Sequence, residues 1–355
     1  MTDTVTEMPP VATEPLLSVE DLYVTFHRGS AAVQAVAGIT FTMRQGETLG
    51  LVGESGCGKT TAGRAIVQVE KATSGRIRFG DTELTSLSRG DLRTLRTQVQ
   101  MIFQDPISSL NPRRKVTDIV AEPLTIWKIG TKEERRETSN AMLDRVGIDP
   151  YLNGNRHPRE FSGGQCQRIS IARALVLKPK LLVCDEIVSA LDVSVQAQIL
   201  NLLEDLKREY HLTILFIAHD LAVVKNVSDR VAVMYLGKLV EVAGSDELYQ
   251  SAAHPYTEAL LQSIPEPDPE RRAEHKALSG ELPSPLNPPS GCRFRTRCPY
   301  AQQRCADEEP LLREIAPGHQ VACHFPLIGE RANGSRAALK VVEVDAPPSA
   351  SGATG

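Results

Sequence analysis

Hydrophobic and polar positions follow two different periods along the chain. Short apolar bursts at residues 22–26 and 33–41 carry β-branched and aromatic side chains, which predicts strands of an antiparallel sheet. Fully apolar runs follow at residues 49–52, 181–184 and 212–218, and each leads into a segment of helical periodicity. Apolar strands that alternate with helices are typical of an α/β domain with a mainly parallel sheet.

The strand–helix alternation is interrupted between about residues 84 and 178. Residues 116–146 have a helical pattern, and the charged stretch at 132–136 is most simply a solvated helix face. We therefore predict a mostly helical subdomain, residues 84–178, inserted in a sheet domain that spans residues 16–263.

The two ends of the chain have a different composition from this domain. Residues 1–15 and 332–355 are predicted to be loose tails. Prolines are dense from residue 264 to 291, which indicates an extended connector, and a small cysteine-rich extension follows to residue 331.

Composition narrows the possible functions. The 355 residues are 41% hydrophobic and 24% charged, as in ordinary soluble domains, and the formal net charge of -4 gives no reason to expect a nucleic-acid partner. No apolar run is long enough to cross a membrane, and the N-terminus has no signal-peptide pattern. We expect a cytosolic protein that would serve a membrane only by docking on another protein.

A glycine-rich loop directly follows the apolar run at 49–52 and precedes a helical segment. This strand–loop–helix context gives the pattern G-x-x-x-x-G-K-[ST] its meaning, because backbone N–H groups and the helix N-terminus then surround phosphate oxygens. Lys59 can reach the β- and γ-phosphates, and the Thr60 hydroxyl can bind Mg²⁺. The nine loop residues are Gly53, Glu54, Ser55, Gly56, Cys57, Gly58, Lys59, Thr60 and Thr61.

Polar residues stand at the ends of three further predicted strands. Gln104, the pair Asp185 and Glu186, and His219 all lie where ligands collect in open α/β sheets. Because buried carboxylates are costly without a cation, Asp185 fits a Mg²⁺ ligand and Glu186 a residue that orients or deprotonates an attacking water. His219 fits a catalytic or γ-phosphate-sensing role.

Two aromatic or capping features add to this site. Phe26 is a candidate for stacking on a purine base, with Tyr23 and His27 as competitors and a core position as an equal alternative. A second helix start with an N-cap serine can face an anion. Its residues are Ser162, Gly163, Gly164 and Gln165.

Four of the seven cysteines crowd near the C-terminus with the spacing C-x5-C-x6-C-x17-C. In a reducing cytosol such a group favours a metal site over disulfides. Four thiolates suit either Zn²⁺ or an iron–sulfur cluster, and free cysteines in a small core are the alternative. The four are Cys292, Cys298, Cys305 and Cys323.

Taken together, these motifs resemble the nucleotide-binding subunit of an ABC transporter over residues 16–242. Residues 53–61 match the Walker A loop, and Gln104 matches the Q-loop. Residues 161–165 match the signature motif. Residues 181–186 match the Walker B motif with its catalytic glutamate, and residues 189–192 match the D-loop. The resemblance implies a P-loop ABC cassette that binds ATP and Mg²⁺, with Thr60, Gln104 and Asp185 at the metal. Ile187 departs from the usual proline.

Residues 253–261 and 280–292 resemble the C-terminal extension of oligopeptide and dipeptide importers, and residues 161–168 and 217–225 resemble the F-type ATPase subunit of these importers in particular. That resemblance implies a [4Fe–4S] cluster at the four cysteines, with Zn²⁺ as the alternative. It also implies a second ATPase subunit of D type, two membrane permeases, and indirectly an extracytoplasmic substrate-binding protein. The chain would lie at the cytoplasmic face of the membrane. A soluble ABC ATPase not coupled to transport is the competing function.

Overall fold

The computed structural model describes residues 14–29, 31–264, 281–329 and 340–342. Its strands are β1 (Leu17–Arg28), β2 (Ala31–Met43), β3 (Thr48–Val52), β4 (Ser74–Phe79), β5 (Thr82–Glu83), β6 (Val99–Ile102), β7 (Leu181–Asp185), β8 (Thr213–Ala218), β9 (Arg230–Tyr235), β10 (Lys238–Gly244), β11 (Arg313–Ala316), β12 (His319–Val321), β13 (Leu327–Ile328) and β14 (Lys340–Val341).

Helices fill the connections between these strands. They are α1 (Lys59–Ile66), α2 (Arg89–Leu95), α3 (Pro106–Ser109), α4 (Val116–Ile126), α5 (Lys132–Arg145), α6 (Pro150–Asn153), α7 (Gly163–Leu175), α8 (Val193–Tyr210), α9 (Leu221–Lys225), α10 (Ser245–Gln250), α11 (Pro255–Gln262) and α12 (Gln303–Asp307), with short 3₁₀ turns at Leu84–Ser86 and Pro158–Glu160. None of the helices in the described ranges is long and apolar enough to cross a membrane.

Two large sheets organise the molecule. The predicted antiparallel sheet at the front of the domain has the order β2-β1-β4-β5, and the main sheet has the order β11-β12-β10-β9-β3-β8-β7-β6. Within the main sheet the five strands from β9 to β6 run parallel, whereas β10 and β12 are antiparallel to their neighbours. The mixed α/β architecture predicted from the apolar runs is therefore present.

The main sheet separates two hydrophobic cores. In β8, Leu215 and Ile217 pack toward α1 and the antiparallel sheet, while Ile214 and Phe216 pack on the opposite side with α7 and α8. This follows from the two-residue period of a strand, which sends successive side chains to opposite faces. Because both faces are covered, the parallel strands are apolar at most positions, which makes them recognisable in the sequence.

The run of helices α3 to α7 lies between β6 and β7, two neighbouring strands of the main sheet. Residues 99–102, inside the predicted insertion, belong to this sheet as β6. The helical pattern at 116–146 is divided into α4 and α5, because Gly130 has a φ of +68° and Thr131 caps the second helix through a capping box. The domain limits at residues 16, 84, 178 and 263 remain predictions.

The C-terminal extension is joined to the main sheet. Strand β12 pairs with β10, with Glu241 opposite Val321, and β11 pairs with β12. A buried aromatic cluster of Tyr235, Tyr256 and Phe294 holds α11 and the cysteine-rich segment against β9. Most of the two predicted tails and of the proline-rich connector lies outside the described residues.

Candidate functional site

The glycine-rich loop connects β3 to α1, and its shape depends on two glycines. Gly53 has a φ of +153° and Gly58 a φ of +106°, values that other residues rarely adopt. A side chain would also strike the backbone, since a Cβ would lie 2.1 Å from the Met234 oxygen at Gly53 and 2.0 Å from the Ala35 oxygen at Gly58. The loop therefore packs tightly against neighbouring backbone, while Ser55 and Gly56 at its tip are exposed.

Lys59 is the first residue of α1, and its ammonium group is held by the loop itself. The Nζ donates to the carbonyl oxygen of Gly53 at 2.7 Å and to that of Glu54 at 3.1 Å. It also lies 3.7 Å from Oε1 of Glu186, and only 4% of Lys59 is exposed. A buried ammonium surrounded by oxygens is poised to exchange these partners for phosphate oxygens.

Thr60 and Asp185 bring the loop and the end of β7 together. The Thr60 hydroxyl donates to Oδ1 of Asp185 at 2.8 Å. Burial raises the pKa of Asp185, and the hydrogen bond from Thr60 and the charge of Arg64 offset only part of that effect. A hydroxyl and a buried carboxylate side by side form a donor set of the kind that Mg²⁺ takes together with phosphates.

Glu186 is the meeting point of the strand-end residues. Its Oε2 accepts from Nε2 of Gln104 at 2.9 Å and lies 3.6 Å from Nδ1 of His219. The backbone of Glu186 has a φ of +47°, an uncommon value for a residue other than glycine, and Ser189 Oγ donates to its carbonyl oxygen at 2.9 Å. Three predicted residues that follow different strands of the main sheet, Lys59, Gln104 and His219, therefore meet around one carboxylate.

The second predicted helix start lies at the N-terminus of α7 and forms a capping box. Ser162 Oγ accepts from the backbone N–H of Gln165 at 3.3 Å, and Oε1 of Gln165 accepts from the N–H of Ser162 at 3.0 Å. Both residues are exposed. Gly164 lies against α8, where a Cβ would come 2.6 Å from Cγ1 of Val195. The side-chain hydrogen bonds of this helix start are local, and the structure does not unite it with the glycine-rich loop of the same chain.

Phe26 and Ile187 have clear positions. Phe26 lies on β1 with 41% of its surface exposed, so a core position is wrong, while stacking on a base remains a prediction. Ile187, which replaces the usual proline, is buried in the core that contains α7 and α8. An apolar side chain at that position anchors the segment after Glu186.

The four C-terminal cysteines are free thiols that line one small cavity together with His254 and His324. Burial raises the pKa of Cys292 to about 11 and that of Cys298 and Cys323 to about 12. The predicted convergence of the cysteines is present. In the described ranges, however, no three His, Cys, Asp or Glu residues are close enough together to hold a metal ion.

Two residues that contact the glycine-rich loop were not predicted as site residues. Arg297 forms a two-point ion pair with the Glu54 carboxylate, and the Tyr256 hydroxyl accepts from the Glu54 N–H at 2.9 Å. Both come from the C-terminal part of the chain, 243 residues away from Glu54 in the case of Arg297. No local motif marks such a contact, because only the packing of the extension on the main sheet creates it.

Comparison with known proteins identifies the family. Residues 36–189 match the family described as "ABC transporter", and residues 240–305 match "Oligopeptide/dipeptide transporter, C-terminal region". The first match contains the glycine-rich loop, the α7 start and Glu186, and the second contains Tyr256, Arg297 and three of the four cysteines.

Curated relatives cover nearly the whole chain. The oligopeptide transport ATP-binding protein AppF of Bacillus subtilis is 52% identical over 303 residues, which are 84% of this chain and 92% of AppF. The oligopeptide transport ATP-binding protein OppF of Escherichia coli is 52% identical over 320 residues, 87% of this chain and 95% of OppF. The chain belongs to the family of ABC transporter ATP-binding proteins, within the group that has the oligopeptide/dipeptide C-terminal region.

A solved structure supports the fold and its chemistry. The ATP-binding cassette MJ0796, determined as a dimer in a post-hydrolysis state bound to ADP and Pi, matches with a TM-score of 0.59 and 26% identity. The match covers 64% of this chain and 98% of that cassette. The fold is that of the P-loop ABC ATPases, and the chain is an ATPase of this family.

Proposed function

We propose that this chain is the ATP-hydrolysing subunit of a membrane transporter that imports oligopeptides or dipeptides. The observation that carries the ATPase half is the convergence of Lys59, Gln104 and His219 on Glu186, beside the Thr60–Asp185 pair. The transport half is supported by the family of the C-terminal region and by relatives named for oligopeptide transport.

The contacts of the site suggest a role for each residue. Lys59 leaves the Gly53 and Glu54 carbonyls and binds the β- and γ-phosphates, whose charge it neutralises. Glu186 orients the attacking water, held by Gln104 on one side and His219 on the other. Thr60 and Asp185, with Gln104 nearby, would hold Mg²⁺, which supplies charge neutralisation on the phosphates when it is bound.

We also propose that the exposed start of α7 contributes to the ATP site of another subunit. Ser162, Gly163, Gly164 and Gln165 would bind the γ-phosphate of ATP held by a second ATPase chain, which we propose to be of D type. That pair would dock on two permeases at the cytoplasmic face of the membrane, with a substrate-binding protein delivering the peptide from outside. The helices between β6 and β7 are the proposed docking surface for the permeases.

The test is Glu186→Gln in the assembled transporter in membranes. We expect ATP binding to be retained and ATP hydrolysis to fall at least about a hundredfold, because the amide cannot accept a proton from the attacking water. Peptide uptake should stop with it. Glu204→Gln on α8, which loses only an exposed pair with Arg208, is the matched control and should hydrolyse ATP normally. A Glu186→Gln complex with the wild-type rate would overturn the assignment.

We also propose that Cys292, Cys298, Cys305 and Cys323 bind a metal centre of structural role, a [4Fe–4S] cluster in preference to Zn²⁺. Support comes from the four free thiols around one cavity, which would have to draw closer together to bind the metal. Iron, sulfide and zinc should be measured in protein purified without oxygen. About four irons per chain are expected for the cluster. A colourless preparation without iron would contradict it, and one zinc per chain would favour the alternative.

A further inference from the structure

We propose that Arg297 is a positioning residue for the phosphate loop, acting through Glu54, and that it sets the affinity of the chain for nucleoside triphosphates. This inference rests on the proposed function, because it assigns the C-terminal extension a part in the same ATP site. The ligand is the ATP already assigned to the glycine-rich loop. What is new is that a residue of the C-terminal extension holds this loop in place.

The contact between the two residues is close and two-pointed. Nη1 of Arg297 lies 2.6 Å from Oε2 of Glu54, and Nη2 lies 3.0 Å from Oε1. Arg297 is only 8% exposed, whereas the Glu54 side chain is 28% exposed, so the guanidinium is shielded from water and salt and the pair is half-buried. The hydrogen bond to Glu54 raises the pKa of Arg297 further, against the effect of burial.

The extension also holds the backbone of the same residue. The Glu54 N–H donates to the Tyr256 hydroxyl at 2.9 Å, and the Glu54 carbonyl accepts from Nζ of Lys59 at 3.1 Å. Tyr256 and Arg297 both pack on Tyr235, with ring centroids 4.7 Å apart in the first pair and the guanidinium carbon 5.9 Å from the ring centroid in the second. Glu54 thus connects the extension to the lysine that meets the phosphates.

Charge explains why this support affects ATP and not only folding. Glu54 places a carboxylate in a loop whose ligand is a polyanion, and like charges at close range repel. Arg297 neutralises that carboxylate through the two-point ion pair. Without the guanidinium, the loop would present an unpaired negative charge to the triphosphate. Removal of the Glu54 charge should then restore binding, which would not happen if Arg297 only stabilised the fold.

The experiment measures the dissociation constant of Mg-ATP for the full-length chain by titration calorimetry. Arg297→Ala should weaken binding about tenfold, the loss expected when one hydrogen-bonded charge is left without its partner. Arg297→Lys should recover part of the loss. The double variant Arg297→Ala with Glu54→Gln should bind within about threefold of Glu54→Gln alone. In the assembled transporter, KM for ATP should rise while kcat changes little.

A control variant separates this effect from general damage to the extension. Arg295→Ala removes a guanidinium two residues away whose bonds go to Ser290 in the same segment, so its ATP affinity should remain within twofold of wild type. Unfolding temperatures of all variants show which of them fold. If Arg297→Ala does not fold, the ATP affinities of Arg297→Lys and Glu54→Gln are compared with wild type instead. A tenfold loss of affinity in Glu54→Gln would then overturn the proposal.

The outcomes also distinguish this proposal from the proposed function. Wild-type affinity in a folded Arg297→Ala variant, together with strongly weakened binding in Lys59→Ala, would remove the positioning role and leave the ATPase assignment intact. An equal loss in Arg297→Ala and in its double variant with Glu54→Gln would reject the charge argument. A wild-type chain that does not bind Mg-ATP at all would reject the proposed function itself.

Discussion

The glycine-rich loop and the start of α7 are both proposed to bind phosphate, yet they differ in their contacts with the rest of the chain. Lys59 and Asp185 are buried and contact residues from distant parts of the chain, Lys59 the Glu186 carboxylate and Asp185 the Thr60 hydroxyl. Ser162 and Gln165 are exposed and bonded to each other. One region is buried and assembled from distant segments, and the other is an exposed helix start that is capped by its own residues. The difference supports the proposal that a single chain holds two unlike halves of an ATP site.

The largest expected effect comes from a change in the buried region, the glycine-rich loop with Lys59. Lys59→Ala should weaken binding of Mg-ATP to the separate full-length chain about a hundredfold, because a desolvated ammonium contributes about 3 kcal/mol to phosphate binding. Equilibrium binding of a fluorescent ATP analogue measures it. Lys71→Ala, at an exposed position beyond α1, is the control and should bind normally. Equal affinity in the two variants would break the comparison.

A smaller and different effect is expected at the outward half. Ser162→Ala should leave ATP affinity of the separate chain unchanged but lower the ATPase rate of the assembled transporter about tenfold, since one hydrogen bond to the shared γ-phosphate is lost. It should also cost about 1 kcal/mol of unfolding free energy through the lost helix cap. Ser88→Ala on α2 removes a cap of the same 3.3 Å geometry and should affect stability alone. A loss of ATP affinity in the separate Ser162→Ala chain would contradict the division of roles.

The smallest effect concerns the scaffold that supports the buried half. Burial lowers the pKa of His319, but the hydrogen bond to Glu241 and the charges of Glu241 and Glu247 outweigh it, and the pKa is raised above 6.5. Its contribution to stability is therefore complete below about pH 6.5 and is lost as the pH rises through the raised value.

His319→Gln should accordingly lower the free energy of unfolding by about 1 kcal/mol at pH 6, and the difference from wild type should shrink above that raised pKa. Urea unfolding at several pH values measures this. His27→Gln, an exposed imidazole on β1, provides the same chemical change without the buried partner. A difference that grows with pH would show that His319 is not a charged partner of Glu241.

The sequence predicted the strands, the loop and the strand-end residues well, because each carries a local signal. Strands buried on both faces are mostly apolar, and the loop has a fixed spacing of glycines before Lys59. Residues 245–263 also have a helical pattern, but they form two helices, α10 and α11, and His254 caps the second helix through its ring nitrogen. The Arg297–Glu54 pair has no local signal, since the two residues meet only after the extension packs on the main sheet.

The pairing of β12 with β10 has a consequence for the tendency of the chain to self-associate. Strand β10 is buried through its centre, and β12 satisfies part of its outer edge, including the bond from the Ala322 N–H to the Val240 carbonyl. A chain shortened to end at residue 264 would expose an apolar strand with unpaired backbone groups along that edge, and Glu241 would lose His319. Such edges recruit other chains, so the extension acts as a guard against self-association as well as a part of the fold.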